Sequence, residues 1–254
     1  MSSPQTENQA RVTSLETVGL TRSFGGVTAL SSATVTFHHG KVNGLIGPNG
    51  SGKTTLFNCV TGMIKPDAGR VTYRGQDITG KAPHRIARAG IGRSFQLCRV
   101  FPRMTVLDNL LVAVSARGLE AQLASSRNRG DIERARSWLA RMGIDHLETI
   151  EARNLSWGQQ KLLELAGVLM AEPETILLDE PAGGVNPALI GRIGTLVRQL
   201  NAEGKTFIIV EHNMDMVMSI CDHIVVFDRG QPIAEGPPAV IRSDPKVLEA
   251  YLGV

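Results

Sequence analysis

Scarcity bounds this 254-residue chain before any motif does. It holds three cysteines, Cys59, Cys98 and Cys221, an odd number with no metal-like spacing. That excludes a disulfide framework and a zinc site, and leaves reduced thiols of a cytosolic protein. No segment approaches the ~20 apolar residues of a membrane span. The opening Met1-Ser2-Ser3-Pro4-Gln5-Thr6-Glu7-Asn8-Gln9 is polar and lacks the apolar centre of a secretory signal. A membrane role would therefore need something else as anchor. The net charge of +3 is too small to argue for nucleic-acid binding. One run, Lys81 to Arg103, carries six Lys/Arg and no Asp or Glu. It reads as a solvated face near a bound anion, or as a docking surface for anionic lipid or nucleic acid, with the first reading favoured. No aromatic interleaving supports base stacking, so no nucleic-acid partner is expected. An internal repeat is also lacking.

With 42% hydrophobic and 20% charged residues, the chain can bury a sizeable core. It suits one large α/β domain, or a domain with an inserted lobe. Short β-rich runs alternate with helical patterns. Residues 12 to 46 read as β-like, and Gly69-Arg70-Val71-Thr72-Tyr73 as a further strand. From about Thr105 to Met170 the period turns helical: Val106, Leu107, Leu110, Leu111 and Val114 share one face, then Trp138, Leu139 and Met142. Glu120 to Asp131, polar and rich in Ser, Arg and Gly, reads as a loop. Strand patterns return at Thr175 to Leu178, Thr206 to Val210 and Ile224 to Phe227, with a helix around Ala188 to Leu200.

The densest chemistry lies in Gly47-Pro48-Asn49-Gly50-Ser51-Gly52-Lys53-Thr54-Thr55. The spacing G-x-x-x-x-G-K-[ST] lets consecutive backbone N–H groups curl around an anion with no Cβ in the way. Lys53 would reach the outer phosphates, Thr54 would offer a hydroxyl to Mg²⁺, and a helix opening at Thr55 would turn its positive end toward the charge. A Gly/Asn-rich turn needs no ligand by itself. Here Lys41 to Ile46 runs in as a strand and Thr54 to Val60 runs out as a helix, so the spacing reads as a triphosphate cradle.

A second motif supplies what the cradle lacks. Ile176-Leu177-Leu178 suits a buried parallel strand, and it delivers Asp179 and Glu180 to the carboxyl end, where ligands bind in open α/β sheets. Neighbouring side chains alternate across a strand, so these carboxylates should take different tasks. Asp179 would hold Mg²⁺ through water, and Glu180 would polarise the attacking water.

Between these motifs stands Leu155-Ser156-Trp157-Gly158-Gln159-Gln160, which resembles the signature sequence of the ATP-binding cassette (ABC) ATPases. The likeness covers nearly the whole chain. It implies an α/β P-loop NTPase core with an N-terminal antiparallel β subdomain and an inserted α-helical subdomain at about 97–170, all within a cassette spanning 13–254 after a polar tail, 1–12. It also implies that ATP is sandwiched head-to-tail, with Ser156, Gly158 and Gln159 of one copy capping the triphosphate held by the cradle of another. Ser156 also suits a plain helix N-cap, and the two roles are compatible.

Other positions match the family one by one. Phe24 resembles the aromatic that stacks on adenine, although a lone Phe also suits a core. Gln96 resembles the glutamine that senses Mg²⁺ and the attacking water and links the core to the helical lobe. His212 resembles the switch histidine that contacts the γ-phosphate. The catalytic set implied is thus Glu180, His212, Gln96 and Lys53, and the metal set Thr54, Gln96 and Asp179. Two residues depart from the pattern. Trp157 replaces a common glycine and is expected to point outward. Asn186 replaces a common aspartate.

Phe24-Gly25-Gly26, Phe101 to Leu110, Glu180 to Pro187 and the ending through Tyr251-Leu252-Gly253 resemble the ATPase subunits of branched-chain amino-acid importers. Urea and amide importers are similar over the same segments. This likeness implies integral-membrane permease partners, a homodimer or a heterodimer with a second ABC ATPase, and, indirectly, a periplasmic solute-binding protein. The implied location is peripheral, at the cytoplasmic face of the bacterial plasma membrane. A soluble ABC ATPase would share the catalytic motifs but usually has two cassettes or long coiled-coil insertions, both absent here. A P-loop kinase or small GTPase has no use for Leu155 to Gln160, and a pure interaction module has none for Glu180.

Overall fold

The computed structural model describes residues 13–94, 99–115 and 129–252. In chain order these form β1 (Thr13–Phe24), β2 (Val27–His38), β3 (Val42–Ile46), α1 (Lys53–Val60), β4 (Ala68–Tyr73), β5 (Gln76–Asp77), α2 (Pro83–Arg88) and β6 (Ile91–Arg93). Then come α3 (Val106–Ser115), α4 (Arg129–Met142), α5 (Trp157–Met170), β7 (Thr175–Asp179), α6 (Pro187–Ala202) and β8 (Thr206–Val210). The chain ends with α7 (Met214–Ile220), β9 (His223–Asp228), β10 (Gln231–Gly236), α8 (Pro238–Ile241) and α9 (Pro245–Leu252).

Among the described residues the strands make two sheets. One is antiparallel, in the order β2-β1-β4-β5. The other has the order β10-β9-β3-β8-β7-β6, parallel from β9 to β6 with β10 antiparallel at its edge.

The parallel strands are short and apolar because both faces are covered. Alternation then assigns each side chain to one of two cores. Ile176 and Leu178 of β7, with Phe207 and Ile209 of β8, face the core built with α5, α6 and α7. Leu177, Ile208 and Val210 face the opposite core, shared with Phe57 of α1 and Leu15, Leu30 and Phe37 of the antiparallel sheet. The helical stretch α3 to α5 is not a separate cluster. Leu110, Leu139, Leu163 and Ala166 belong to the same apolar core as the β7 and β8 residues.

Two sequence expectations are corrected. The helix after the cradle opens at Lys53, with Gly52 as N-cap, rather than at Thr55. The loop expected over 120–131 ends earlier: Arg129, Gly130 and Asp131 already belong to α4, where Asp131 complements the positive helix start. Residues 120–128 lie outside the described residues.

Candidate functional site

Strand order assembles the site. Register places Leu45 of β3 beside Val210 of β8, and Val210 beside Asp179 of β7. The cradle, the Glu211-His212 turn and the Asp179-Glu180 pair therefore emerge side by side at one carboxyl edge, as open α/β sheets present their ligand sites.

The cradle is tightly built where it meets the core and open where it faces solvent. A Cβ on Gly47 would stand 2.1 Å from the Phe227 carbonyl oxygen, and one on Gly52, at φ +102°, 2.4 Å from that of Ala29. Gly50, at φ +80°, has open space around it. Asn49, Gly50 and Thr54 are exposed, Pro48 and Thr55 half-buried, and Ser51 buried. Lys53 folds back over the loop, its ammonium donating to the carbonyls of Gly47 and Pro48, both at 2.8 Å, and to Ser51 Oγ at 3.3 Å. Burial holds its pKa below the ordinary lysine value, while the charges of Glu180 and Asp179 pull it back up. A loop whose carbonyls already hold the ammonium, and whose outer rim is bare, fits a phosphate chain lying along that rim.

Asp179 and Glu180 do differ, but not through the expected strand alternation: β7 ends at Asp179, and Glu180 already belongs to the turn beyond it. Asp179 is 3% exposed and its Oδ2 accepts from the Arg93 guanidinium at 2.8 Å. Arg93 also donates to Asn58 Oδ1 at 2.7 Å and to Thr61 Oγ1 at 2.9 Å, so it ties β6, α1 and β7 together. Glu180 is partly exposed and stands in the left-handed backbone region at φ 49°. Thr54 offers a hydroxyl and Asp179 a carboxylate, hard oxygen groups whose chemistry fits Mg²⁺, which Asp179 would hold through water.

His212 Nδ1 lies 4.0 Å from Glu180 Oε1. Its backbone is fixed by Glu211, a fully buried carboxylate that accepts three backbone N–H groups: Ala182 at 2.5 Å, His212 at 2.9 Å and Asn213 at 3.1 Å. One side chain thus joins the turn after Glu180 to the turn carrying His212.

The signature residues occupy another part of the surface. Ser156 caps α5: its Oγ accepts the Gln159 N–H at 3.3 Å, while Gln159 Oε1 accepts the Ser156 N–H at 2.8 Å. With Trp157, Gly158, Gly184 and Asn186 they line a cavity of about 650 Å³. Among the described residues no hydrogen bond joins Ser156, Gly158 or Gln159 to residues 47–55. Trp157 is 42% exposed but does not simply point outward: its indole lies on Gly184 and its Nε1 donates toward the Gly183 carbonyl at 3.4 Å. Asn186 serves as the N-cap of α6, its Oδ1 accepting the Leu189 N–H at 2.9 Å, a role open equally to the aspartate it replaces.

Phe24 is 41% exposed at the tip of the β1–β2 hairpin, with the Arg22 guanidinium 4.8 Å from its ring centre, so it is a surface ring and not core. Gln96 lies outside the described residues. Sequence reading missed Arg93, Lys161 and Glu211. Glu211 had a readable signal, an acid following the apolar run Thr206 to Val210 and preceding His212. Arg93 and Lys161 had none, since their partners are remote in sequence.

A parallel sheet with a phosphate cradle, a paired acid and a histidine at one edge defines a P-loop nucleotide hydrolase. Within that class, the chain belongs to the ABC transporter family, whose model of that description matches residues 30–183. It is accordingly an ABC-type ATPase. A model described as branched-chain amino acid ATP-binding cassette transporter matches residues 231–254. The high-affinity branched-chain amino acid transport ATP-binding protein BraF of Pseudomonas aeruginosa is 41% identical over 248 residues, covering 94% of this chain and 97% of that protein. The corresponding protein LivG of Escherichia coli is 40% identical over 244 residues, covering 92% and 96%. A solved nucleotide-free ATP-binding cassette from an ABC transporter superposes with a TM-score of 0.86 at 38% identity, covering 95% of this chain and 100% of that one. An ATP-binding cassette of an ABC transporter solved in its ADP conformation gives 0.85 at 39% identity, covering 95% and 99%.

Proposed function

We propose that this chain is the ATP-hydrolysing subunit of an importer of branched-chain amino acids and acts in a dimer with ATP held between two cassettes. One observation carries the dimer reading: the chain has both a phosphate cradle and a separate capped helix start able to grip a phosphate, and the two are not joined within one copy. Two copies arranged head-to-tail would complete two sites. The solute assignment draws on BraF, LivG and the C-terminal match.

Lys53 leaves its loop carbonyls for the outer phosphates, where its charge offsets that developing in transfer. Thr54 and Asp179 would hold Mg²⁺, with Gln96 assigned to the same ion; when bound, the ion neutralises phosphate charge as a Lewis acid. Glu180 orients and polarises the attacking water, and His212 holds the γ-phosphate end. Phe24 offers its exposed ring to adenine. Ser156, Gly158 and Gln159 of the opposite copy close the site, and cleavage releases them.

Among the described residues no helix is long and apolar enough to cross a membrane. The permease subunits assigned as partners draw on the transport names of BraF and LivG. We assign their docking to the segment from Gln96 to Leu110, where Phe101 is 51% exposed beside a cavity of about 210 Å³ lined by Arg99, Val100 and Asn109. The helical lobe, about 97–170, would carry the push. The location assigned is the cytoplasmic face of a bacterial plasma membrane, with a periplasmic solute-binding protein upstream.

The test is Glu180→Gln. Turnover should fall by about a thousandfold while ATP binding persists and an ATP-dependent dimer appears on size-exclusion chromatography. Retained turnover together with the absence of an ATP-dependent dimer would overturn the reading. ATP-driven leucine uptake by proteoliposomes holding the permease pair and binding protein tests the solute, and uptake of urea instead would overturn it.

A further inference from the structure

Glu180 holds a backbone conformation that residues other than Gly, Asn and Asp seldom take, at φ 49°. Such a conformation costs roughly 1–2 kcal/mol and persists only where its surroundings over-determine it. The Glu180 N–H donates to the Val210 carbonyl at 2.9 Å, and its own carbonyl accepts the Gly183 N–H at 3.0 Å. A third restraint comes from outside this edge: the Lys161 ammonium donates to the same Glu180 carbonyl at 2.9 Å.

Lys161 is only 8% exposed and belongs to α5, one turn beyond Trp157. The two side chains act on one turn. The Trp157 indole covers Gly184 and reaches the Gly183 carbonyl, its ring centre lying 5.9 Å from the Lys161 ammonium. A lysine buried to this degree is uncommon, because taking an ammonium out of water costs several kcal/mol unless its donors are satisfied. An alanine at this position would serve helix packing without that cost. The ammonium is therefore spent on the backbone of Glu180.

We propose that Lys161 is a positioning residue that sets the aim of the Glu180 carboxylate and ties it to the signature helix of the same chain. The inference rests on the reading of Glu180 as the water-orienting acid. Its consequence is a short mechanical link: the Ser156 end of α5 grips the nucleotide held by the opposite copy, and one turn further along the same helix fixes this copy's own acid. Engagement at one site then reaches the other through one side chain and not through the nucleotide.

The test is Lys161→Met, which keeps the stem and removes the donor, with Lys161→Arg and Glu180→Gln measured in parallel. Turnover of Lys161→Met should fall by about tenfold or more while the KM for ATP and equilibrium ATP binding stay within about twofold, the pattern of a lost transition-state alignment. Lys161→Arg, which can reach the same carbonyl, should recover most of the rate. In a Glu180→Gln background, Lys161→Met should leave the ATP-dependent dimer intact, because no aimed carboxylate is then needed. Turnover within about twofold of the parent, a loss that follows ATP binding, or no recovery with Arg would each overturn the proposal. If Lys161→Met does not fold, Lys161→Gln is read by the same criteria. A fully active Glu180→Gln would instead sink the reading of the site, which separates the two failures.

Discussion

His212 Nδ1 sits between two carboxylates, 4.0 Å from Glu180 Oε1 and 3.9 Å from Glu211 Oε2. The partly exposed acid is the one proposed to orient water, and the buried one holds the frame. Glu211→Gln keeps the size but places an amide among three backbone N–H donors, leaving one facing another donor. It should destabilise the fold by about 2 kcal/mol and lower turnover by about tenfold, since both turns bearing site residues lose their shared acceptor. Thermal denaturation together with steady-state ATP hydrolysis checks this.

The Arg93–Asp179 pair is buried on both sides, at 8% and 3% side-chain exposure. Removing one partner leaves the other as an uncompensated charge. Arg93→Met should cost about 3–5 kcal/mol, visible as a lower denaturant midpoint, whereas breaking an exposed pair such as Arg136–Glu148 should leave that midpoint almost unchanged.

Gly184 and Trp157 should show non-additive effects. A Cβ on Gly184 would meet Trp157 Nε1 at 3.0 Å, and its φ of +72° strains any L-residue. Gly184→Ala should destabilise by about 1–2 kcal/mol. In a Trp157→Gly background the steric part disappears and the backbone part remains, so a double-mutant cycle should give a coupling of about 0.5 kcal/mol or more.

Burial pushes the Cys59 thiol up to about 11 and the Cys221 thiol up to about 12, from an ordinary 9.0. At pH 8, about one Cys59 thiol in a thousand is then ionised, so both should resist iodoacetamide until denaturant is added, as read by mass spectrometry. The sign of the stability effect follows. Between 9 and about 11 the folded chain retains a proton that the unfolded chain has lost, so stability falls as pH rises through that window.

Local pattern disclosed the site's strands and loops. The strand at Thr206 to Val210 was legible to the residue, because a β-branched and aromatic run buried on both faces is bounded by the charged Lys205 and Glu211. The cradle was legible from glycine spacing, and the structure adds why Gly47 and Gly52 are needed: backbone oxygens of Phe227 and Ala29 occupy the space a Cβ would take. Helix starts were less legible. The first turn of α1 has no side-chain cap to mark it, and α4 begins with Arg129 and Gly130, poor heralds of a helix. Hidden entirely were the cross-links between distant segments, Arg93 to Asp179 and Lys161 to the Glu180 carbonyl, because pairing across the fold leaves no period in the sequence.

The apolar layer that runs from Leu110 and Leu163 to Ile176 and Phe207 joins the helices and the sheet in one core. A hinge there would have to tear that layer, so displacement of the helices must proceed as slip between interlocked side chains, in small discrete steps. The cassette is in this respect a ratcheted bearing, and its stiffness lies in the methyl groups at the interface.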